Sequence, residues 1–165
     1  MSTPEEEPVS WHWRSGPVSP GPAVVFDVDG VLSDASGRQH YLSGYSRDWD
    51  GFFEAAGADP LIEEVARLLE LLEPSLAVIL LTARPARIRE ITVAWLEHFG
   101  LRYDLLVMRS GGDYLRAVEF KRRETRALKE YGFELRLALE DDRRNLEMFE
   151  SEGVPCLYVH SGYYG

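Results

Sequence analysis

Short, continuously apolar runs alternate along this chain with segments of helical periodicity. The predicted strands are residues 23–26, 76–81, 104–108, 135–139 and 156–159. The predicted helices are residues 61–73, the segment between Pro85 and Gly100, 118–131 and 143–152. Because the strands are mainly continuous apolar runs rather than alternating ones, they are expected to be buried on both faces, as in a parallel sheet. The alternation therefore predicts a Rossmann-like, doubly wound α/β fold.

Two segments interrupt this pattern. Residues 1–21 are rich in Pro, Ser and Glu and predict a flexible N-terminal tail, pinned at most by Trp11 and Trp13. Residues 35–60 are too long and too aromatic for a simple connection, and they predict a small cap over the end of the sheet. A length of 165 residues suits one domain, so residues 22–165 are expected to form it.

The composition limits the compartments and partners of the chain. A single cysteine, Cys156, allows no internal disulfide and favours a reducing, cytoplasmic compartment. No apolar run approaches the roughly 18 residues of a membrane helix. The net charge of −10 argues against broad, non-specific coating of nucleic acid. Residues 84–131 nevertheless hold eleven Lys or Arg against seven Asp or Glu, which indicates either one basic face or solvated helix surfaces.

Polar side chains follow the predicted strands, where ligands bind in open parallel sheets. These residues are Asp27, Asp29, Thr82, Arg84, Arg109, Glu140, Asp141 and Asp142. Carboxylates gathered at one edge repel one another unless a cation lies among them. Oxygen ligands without nearby Cys or His favour Mg²⁺. The sequence therefore predicts a Mg²⁺ site formed by Asp27, Asp29, Asp141 and Asp142, with an N-cap as the alternative role of Asp142.

A carboxylate beside Mg²⁺ with a second carboxylate two residues later suits phosphoryl transfer. Asp27, at the rigid end of the first strand, is the predicted nucleophile that forms an aspartyl phosphate. Asp29 is the predicted acid and base for the leaving oxygen and the attacking water. Gly30 permits a sharp turn beside them. Thr82 is expected to hold the phosphate oxygens and Lys121 to neutralise charge on the nucleophile and the transferred group.

These residues together resemble the haloacid dehalogenase (HAD) phosphatase superfamily. Its four signatures occur in order as Asp27-Val28-Asp29-Gly30-Val31, Thr82, Lys121 and Asp141-Asp142. The resemblance covers nearly all of residues 23–159. It implies a Rossmann-like sheet, Mg²⁺ dependence and hydrolysis of a phosphomonoester.

The chain is more specifically similar to the 3′-phosphatase domain of phage-type polynucleotide kinase-phosphatases. Arg38 stands eleven residues after Asp27, Arg84 lies in a Thr-Ala-Arg segment, and Asp113 precedes Lys121 by the spacing of that family. The resemblance implies that Arg38 and Arg84 bind the substrate phosphate. It also implies that Asp113 orients the region around Lys121.

The expected function is removal of 3′ phosphates from polynucleotide ends in nucleic-acid repair. A small cap leaves an open crevice, which admits the end of a polymer. No Gly-x-x-x-x-Gly-Lys-Ser/Thr loop occurs, so 5′ phosphorylation would require a separate kinase, and a separate ligase is a further expected partner. Two alternatives remain: a phosphatase for nucleotides or other small phosphomonoesters, and a catalytically silent HAD-like binding module. The intact catalytic set argues against the second alternative.

Overall fold

The central sheet of the computed structural model, which describes residues 10–164, has six strands within that range. In chain order they are β1 (Trp11–Trp13), β2 (Pro22–Phe26), β3 (Ala77–Pro85), β4 (Leu105–Arg109), β5 (Glu134–Glu140) and β6 (Cys156–Tyr158). Their spatial order is β1-β4-β3-β2-β5-β6. All neighbouring strands are parallel except β1, which is antiparallel to β4. The predicted α/β fold is therefore confirmed.

Helices cover both faces of the sheet. They are α1 (Trp49–Glu54), α2 (Glu63–Leu71), α3 (Arg89–His98), α4 (Ala117–Tyr131) and α5 (Arg143–Ser151). Successive residues of one strand enter different apolar cores: Phe26 packs with α2 and α3, and Val25 packs with α4 and α5. Residues 23–26 of β2 and 78–82 of β3 are thus all buried, as the apolar runs predict. None of the helices in residues 10–164 has the length and apolar character needed to cross a membrane.

Strand β2 lies at the centre of the sheet, between β3 and β5. Phe26, its last residue, is aligned with Leu80 of β3 and with Leu139 of β5. The backbone N–H of Asp27 extends this pairing by donating to the Leu139 carbonyl at 3.1 Å. The residues that follow these alignments therefore meet at one edge of the sheet.

The segment between β2 and α2 contains little regular structure. Two short 3-10 helices, Ser36–Leu42 and Ala55–Ala58, flank α1. The aromatic rings of Trp49, Phe52 and Phe53 contact one another with centroids 5.3–5.8 Å apart. These three aromatic residues of the predicted cap thus form a small cluster.

Of the predicted tail, residues 1–9 lie outside the described residues, and Trp11 and Trp13, the two residues expected to pin it, hold the next segment against the sheet. Trp11–Trp13 form β1, with both tryptophan side chains buried. Their rings pack against Tyr131, and Trp13 also packs against Phe133. The indole N–H of Trp11 donates to Glu124 at 3.0 Å. Burial of two large aromatic side chains outweighs the weak strand signal of a three-residue segment.

We expect Trp13→Ala to lower the free energy of unfolding by about 3–5 kcal/mol, because it leaves a cavity where a buried indole packs. Chemical denaturation measures this change. Leu71→Ala is the matched control, since Leu71 is 75 % exposed and its loss should cost less than about 0.5 kcal/mol. Equal effects of the two substitutions would show that β1 contributes nothing to the fold.

Candidate active site

Asp27 and Lys121 form the buried centre of the strand-end edge. Asp27 directly follows β2, and the backbone N–H of Val28 donates to its Oδ1 at 2.8 Å. Lys121 reaches it from α4, where the neighbouring Phe120 anchors the helix in the core. The Lys121 Nζ lies 3.1 Å from Asp27 Oδ1 and 2.8 Å from Glu140 Oε2. One ammonium group therefore bridges two buried carboxylates.

Asp141 adds a third carboxylate to this group. Ligand oxygens of Asp27, Glu140 and Asp141 all lie within 4.8 Å of one another. Both side-chain oxygens of Asp141 are buried, and neither has a hydrogen-bond partner among residues 10–164. Three carboxylates against one ammonium leave a surplus of negative charge, and unpaired buried oxygens are costly. This all-oxygen donor set fits a hard divalent cation.

The pKa values of this group reflect its burial. Burial, and next the Glu140 carboxylate, raise the pKa of Asp27 well above its usual range. Burial raises the pKa of Asp141 to about 7. Burial also opposes the charge of Glu140, but the Lys121 ammonium keeps its pKa below the usual value. Without a cation, Asp27 and Asp141 therefore tend to hold protons, and a bound divalent cation would favour their ionised forms.

Gly30 makes the close approach of two loops feasible. Its φ is +79°, a left-handed conformation that glycine adopts without strain. A Cβ at this position would overlap the carboxylate of Asp141. The N–H of Gly30 donates to the Ser33 carbonyl at 2.8 Å and closes the turn that follows Asp27. The turn thus keeps the Asp27–Asp29 segment against the end of β5.

Asp29 belongs to a separate network in which two arginines hold its carboxylate. Oδ1 of Asp29 accepts from Arg38 Nη2 and from Arg84 Nη2, each at 2.7 Å. The Nε of Arg84 also lies 3.1 Å from Oδ2. Burial alone would raise the pKa of Asp29, but Arg84 and then Arg38 lower it below its usual value. Asp29 is therefore ionised and fixed in orientation.

Arg38 and Arg84 form an arginine clamp around Asp29, and Asp59 completes it. Its two carboxylate oxygens accept from the Nε and Nη2 of Arg38, both at 2.7 Å, and Oδ2 accepts from Ser33 Oγ at 2.5 Å. Arg84 is fixed from its other side, since its Nη1 donates to Thr92 Oγ1 at 3.1 Å. Both guanidinium groups are buried and occupied by protein partners, so their binding of a substrate phosphate stays a prediction.

Three further predicted residues lie around these two networks. Thr82 is buried in β3, and its Oγ1 accepts from the N–H of Arg84 at 3.1 Å. Asp142 accepts from the N–H of Arg144 at 2.9 Å and caps α5, as the alternative interpretation held. Asp113, in the loop before α4, pairs with Arg123 at 2.7 Å.

The structure brings together Asp27 and Asp141 from the predicted metal-ligand set, but not Asp29 or Asp142. Asp29 contacts the arginine clamp, and Asp142 caps the start of α5. Neither therefore belongs to the acidic group, which consists of Asp27, Glu140 and Asp141. Glu140 takes part instead, although the sequence analysis assigned it no role. Its signal is an acidic residue that directly follows the apolar residues 137–139. Asp59 had no comparable local signal.

Residues 21–164 match the family model described as the polynucleotide kinase PNKP phosphatase domain. The chain belongs to this family. It is accordingly a phosphatase domain of the HAD superfamily. No curated protein sequence matches it.

Solved structures agree with this membership. The PNKP-type domain is similar to a chain in the structure of the Pnkp1/Rnl/Hen1 RNA repair complex, with 28 % identity and a TM-score of 0.73. The match covers 93 % of this domain and 46 % of that chain, so the domain spans about half the length of its relative. A class C acid phosphatase from Bacillus anthracis shares the fold at 16 % identity and a TM-score of 0.64, with coverages of 89 % and 70 %.

We expect Gly30→Ala to reduce phosphate release from a small aryl phosphate by about 100-fold, because a displacement on the ångström scale misaligns the reacting groups. Steady-state kinetics measure the loss. Gly111→Ala is the control, since a Cβ there meets open space. Unaltered kinetics of Gly30→Ala would contradict the close packing of the two loops.

Metal-free protein should lose stability as the pH rises from about 4 to about 7. Asp141 keeps its proton up to about pH 7 when folded but only up to about pH 4 when unfolded. The folded state therefore binds more protons in this window, and its free energy of unfolding falls across it.

Thermal denaturation over this pH range measures the effect. Asp141→Asn should flatten the profile, whereas Glu70→Gln, an exposed substitution with the same charge change, should not. Added Mg²⁺ should raise Tm more above pH 7 than at pH 5, since protons compete for the same oxygens. An Asp141→Asn profile that matches wild type would contradict the assignment.

Proposed function

We propose that this chain is a Mg²⁺-dependent phosphomonoesterase that removes 3′ phosphates from polynucleotide ends through an aspartyl-phosphate intermediate. The observation that carries the proposal is the buried group of Asp27, Lys121, Glu140 and Asp141 at the end of the central strand. Membership of the PNKP phosphatase family supports the substrate class.

The first step is attack by a carboxylate oxygen of Asp27 on the phosphorus. The Asp27 O–P bond forms while the bond between phosphorus and the leaving 3′ oxygen breaks. Lys121 favours the anionic, nucleophilic form of Asp27 and offsets charge on the transferred group. Asp27, Asp141 and Glu140 would hold Mg²⁺, which when bound neutralises phosphate charge and stabilises the transition state.

Asp29 is assigned both proton transfers. It protonates the leaving 3′ oxygen and then takes a proton from the water that hydrolyses the aspartyl phosphate. Its lowered pKa, caused by Arg84 and Arg38 against the effect of burial, suits the second transfer. The first transfer requires a protonated carboxyl, and the negative charge of an incoming phosphate raises the pKa of a neighbouring acid.

We further propose that the chain works beside separate enzymes of end repair. The similar chain in the Pnkp1/Rnl/Hen1 RNA repair complex is about twice as long as the matched region, and its assembly is named as an RNA repair complex. A kinase and a ligase are the activities that a 3′-phosphatase would complement, because ligation requires a free 3′ hydroxyl and a 5′ phosphate.

We expect faster phosphate release from an oligonucleotide with a 3′ phosphate than from the same sequence with a 5′ phosphate. A mononucleotide and an aryl phosphate serve as small substrates, and both DNA and RNA oligonucleotides are assayed. Removing Mg²⁺ or substituting Asp27→Asn should abolish release from all of them. Release from the small substrates alone would overturn the polynucleotide proposal and favour the small-phosphomonoester alternative.

A further inference from the structure

A groove of about 880 Å³ adjoins the active site. It lies between the start of α1, the start of α4 and the exposed side of α5. Four arginines and three carboxylates line it, and Trp49 is its aromatic residue; the charged residues are Arg47, Arg116, Arg122, Arg144, Glu119, Asp142 and Glu147. Asp142 directly follows Asp141 of the acidic group, and Arg122 directly follows Lys121. The backbone N–H of Asp142 also donates to Glu140 Oε1 of the acidic group at 3.4 Å, so the groove lies next to that group.

The groove offers two cations without protein partners. Arg122 pairs with Glu152 at 2.7 Å, and Arg144 pairs with Asp142 at 3.0 Å. Arg47 and Arg116 are exposed, and neither side chain has an ion pair or hydrogen bond among residues 10–164. In a chain with a net charge of −10, four arginines against three carboxylates give this groove a small net positive charge, which favours an anionic ligand.

Trp49 supplies an aromatic surface at the same place. It is 46 % exposed, whereas the other three tryptophans are at most 9 % exposed. Its ring is stacked on Phe53 with a centroid distance of 5.8 Å and an interplanar angle of 27°. Phe52 contacts it edge-on at 5.8 Å. The indole is thus supported from within the cap while nearly half of it remains accessible.

We propose that this groove binds the single strand whose 3′ end enters the phosphatase site. Trp49 stacks on a base, while Arg47 and Arg116 contact backbone phosphates. Cationic grooves that carry an aromatic platform bind single-stranded nucleic acid in this manner, with little preference for sequence. The inference rests on the proposed function, since it assigns the polynucleotide substrate of the same site its path across the surface.

Charge reversal separates strand binding from chemistry. In Arg47→Glu/Arg116→Glu, kcat/KM for a 3′-phosphorylated oligonucleotide should fall about tenfold or more, and its salt dependence should weaken. Release from a small aryl phosphate should be unchanged, since neither arginine contacts the acidic group. Arg67→Glu/Arg136→Glu is the matched control: it changes the net charge equally, at exposed arginines that do not line the groove. Assays with DNA and with RNA versions of the oligonucleotide show which nucleic acid the groove favours.

Intrinsic fluorescence gives a test that is independent of activity. With Asp27→Asn to prevent turnover, a 3′-phosphorylated oligonucleotide should quench tryptophan emission, because Trp49 is the exposed indole of residues 10–164. Adding Trp49→Phe should remove the quenching. Quenching that persists without Trp49 would overturn the stacking assignment.

The kinetic outcomes distinguish the groove from the proposed function. The groove proposal would be overturned if the two double variants lost kcat/KM for the oligonucleotide equally, or if neither variant changed it. Either result would leave the 3′-phosphatase proposal intact. A wild-type protein that hydrolyses the aryl phosphate but no oligonucleotide would overturn both. A loss confined to oligonucleotides in Arg47→Glu/Arg116→Glu supports the groove.

Discussion

Three buried carboxylates at the end of the central strands determine how the rest of the site is built. Asp27, Glu140 and Asp141 have ligand oxygens within 4.8 Å of one another, and Lys121 supplies a single compensating charge. Buried ions are tolerated only when they are paired, protonated or bound to a metal. The sheet enforces their proximity, because β2 lies directly beside β5 and its pairing continues through Asp27. An anionic group under this constraint has a reason to bind a divalent cation.

Asp27 and Asp29, with one residue between them, acquire opposite pKa shifts from this arrangement. Burial, and next Glu140, raise the pKa of Asp27, whereas Arg84 and Arg38 outweigh burial and lower the pKa of Asp29. In the turn that starts at Val28, the side chain of Asp29 contacts the arginine clamp and lies outside the acidic group. Neighbouring acids with divergent pKa values are the usual basis for dividing nucleophile and acid–base roles. The division proposed for Asp27 and Asp29 follows from their surroundings rather than from their residue type.

Local pattern was sufficient to predict the sheet and the centre of the site. Continuous apolar runs indicate buried strands, and polar residues at strand ends indicate where Asp27 and Asp141 meet. Strand β1 escaped prediction because three residues carry little periodicity, and its burial depends on distant partners such as Tyr131. Asp59 escaped because its partners Arg38 and Ser33 lie 21 and 26 residues away in sequence. The separate positions of Asp141 and Asp142 depend on side-chain direction, which sequence order does not determine.

Trapping the covalent intermediate tests the central claim, that Asp27 is the nucleophile, most directly. A substrate labelled in its terminal phosphate is mixed with the enzyme and Mg²⁺, quenched in acid within the first turnover, and the protein is digested for mass spectrometry. The account predicts a phosphoryl group on Asp27, absent when Asp27→Asn is used. Phosphate release by an enzyme that never carries the label, or a label on another residue, would contradict it.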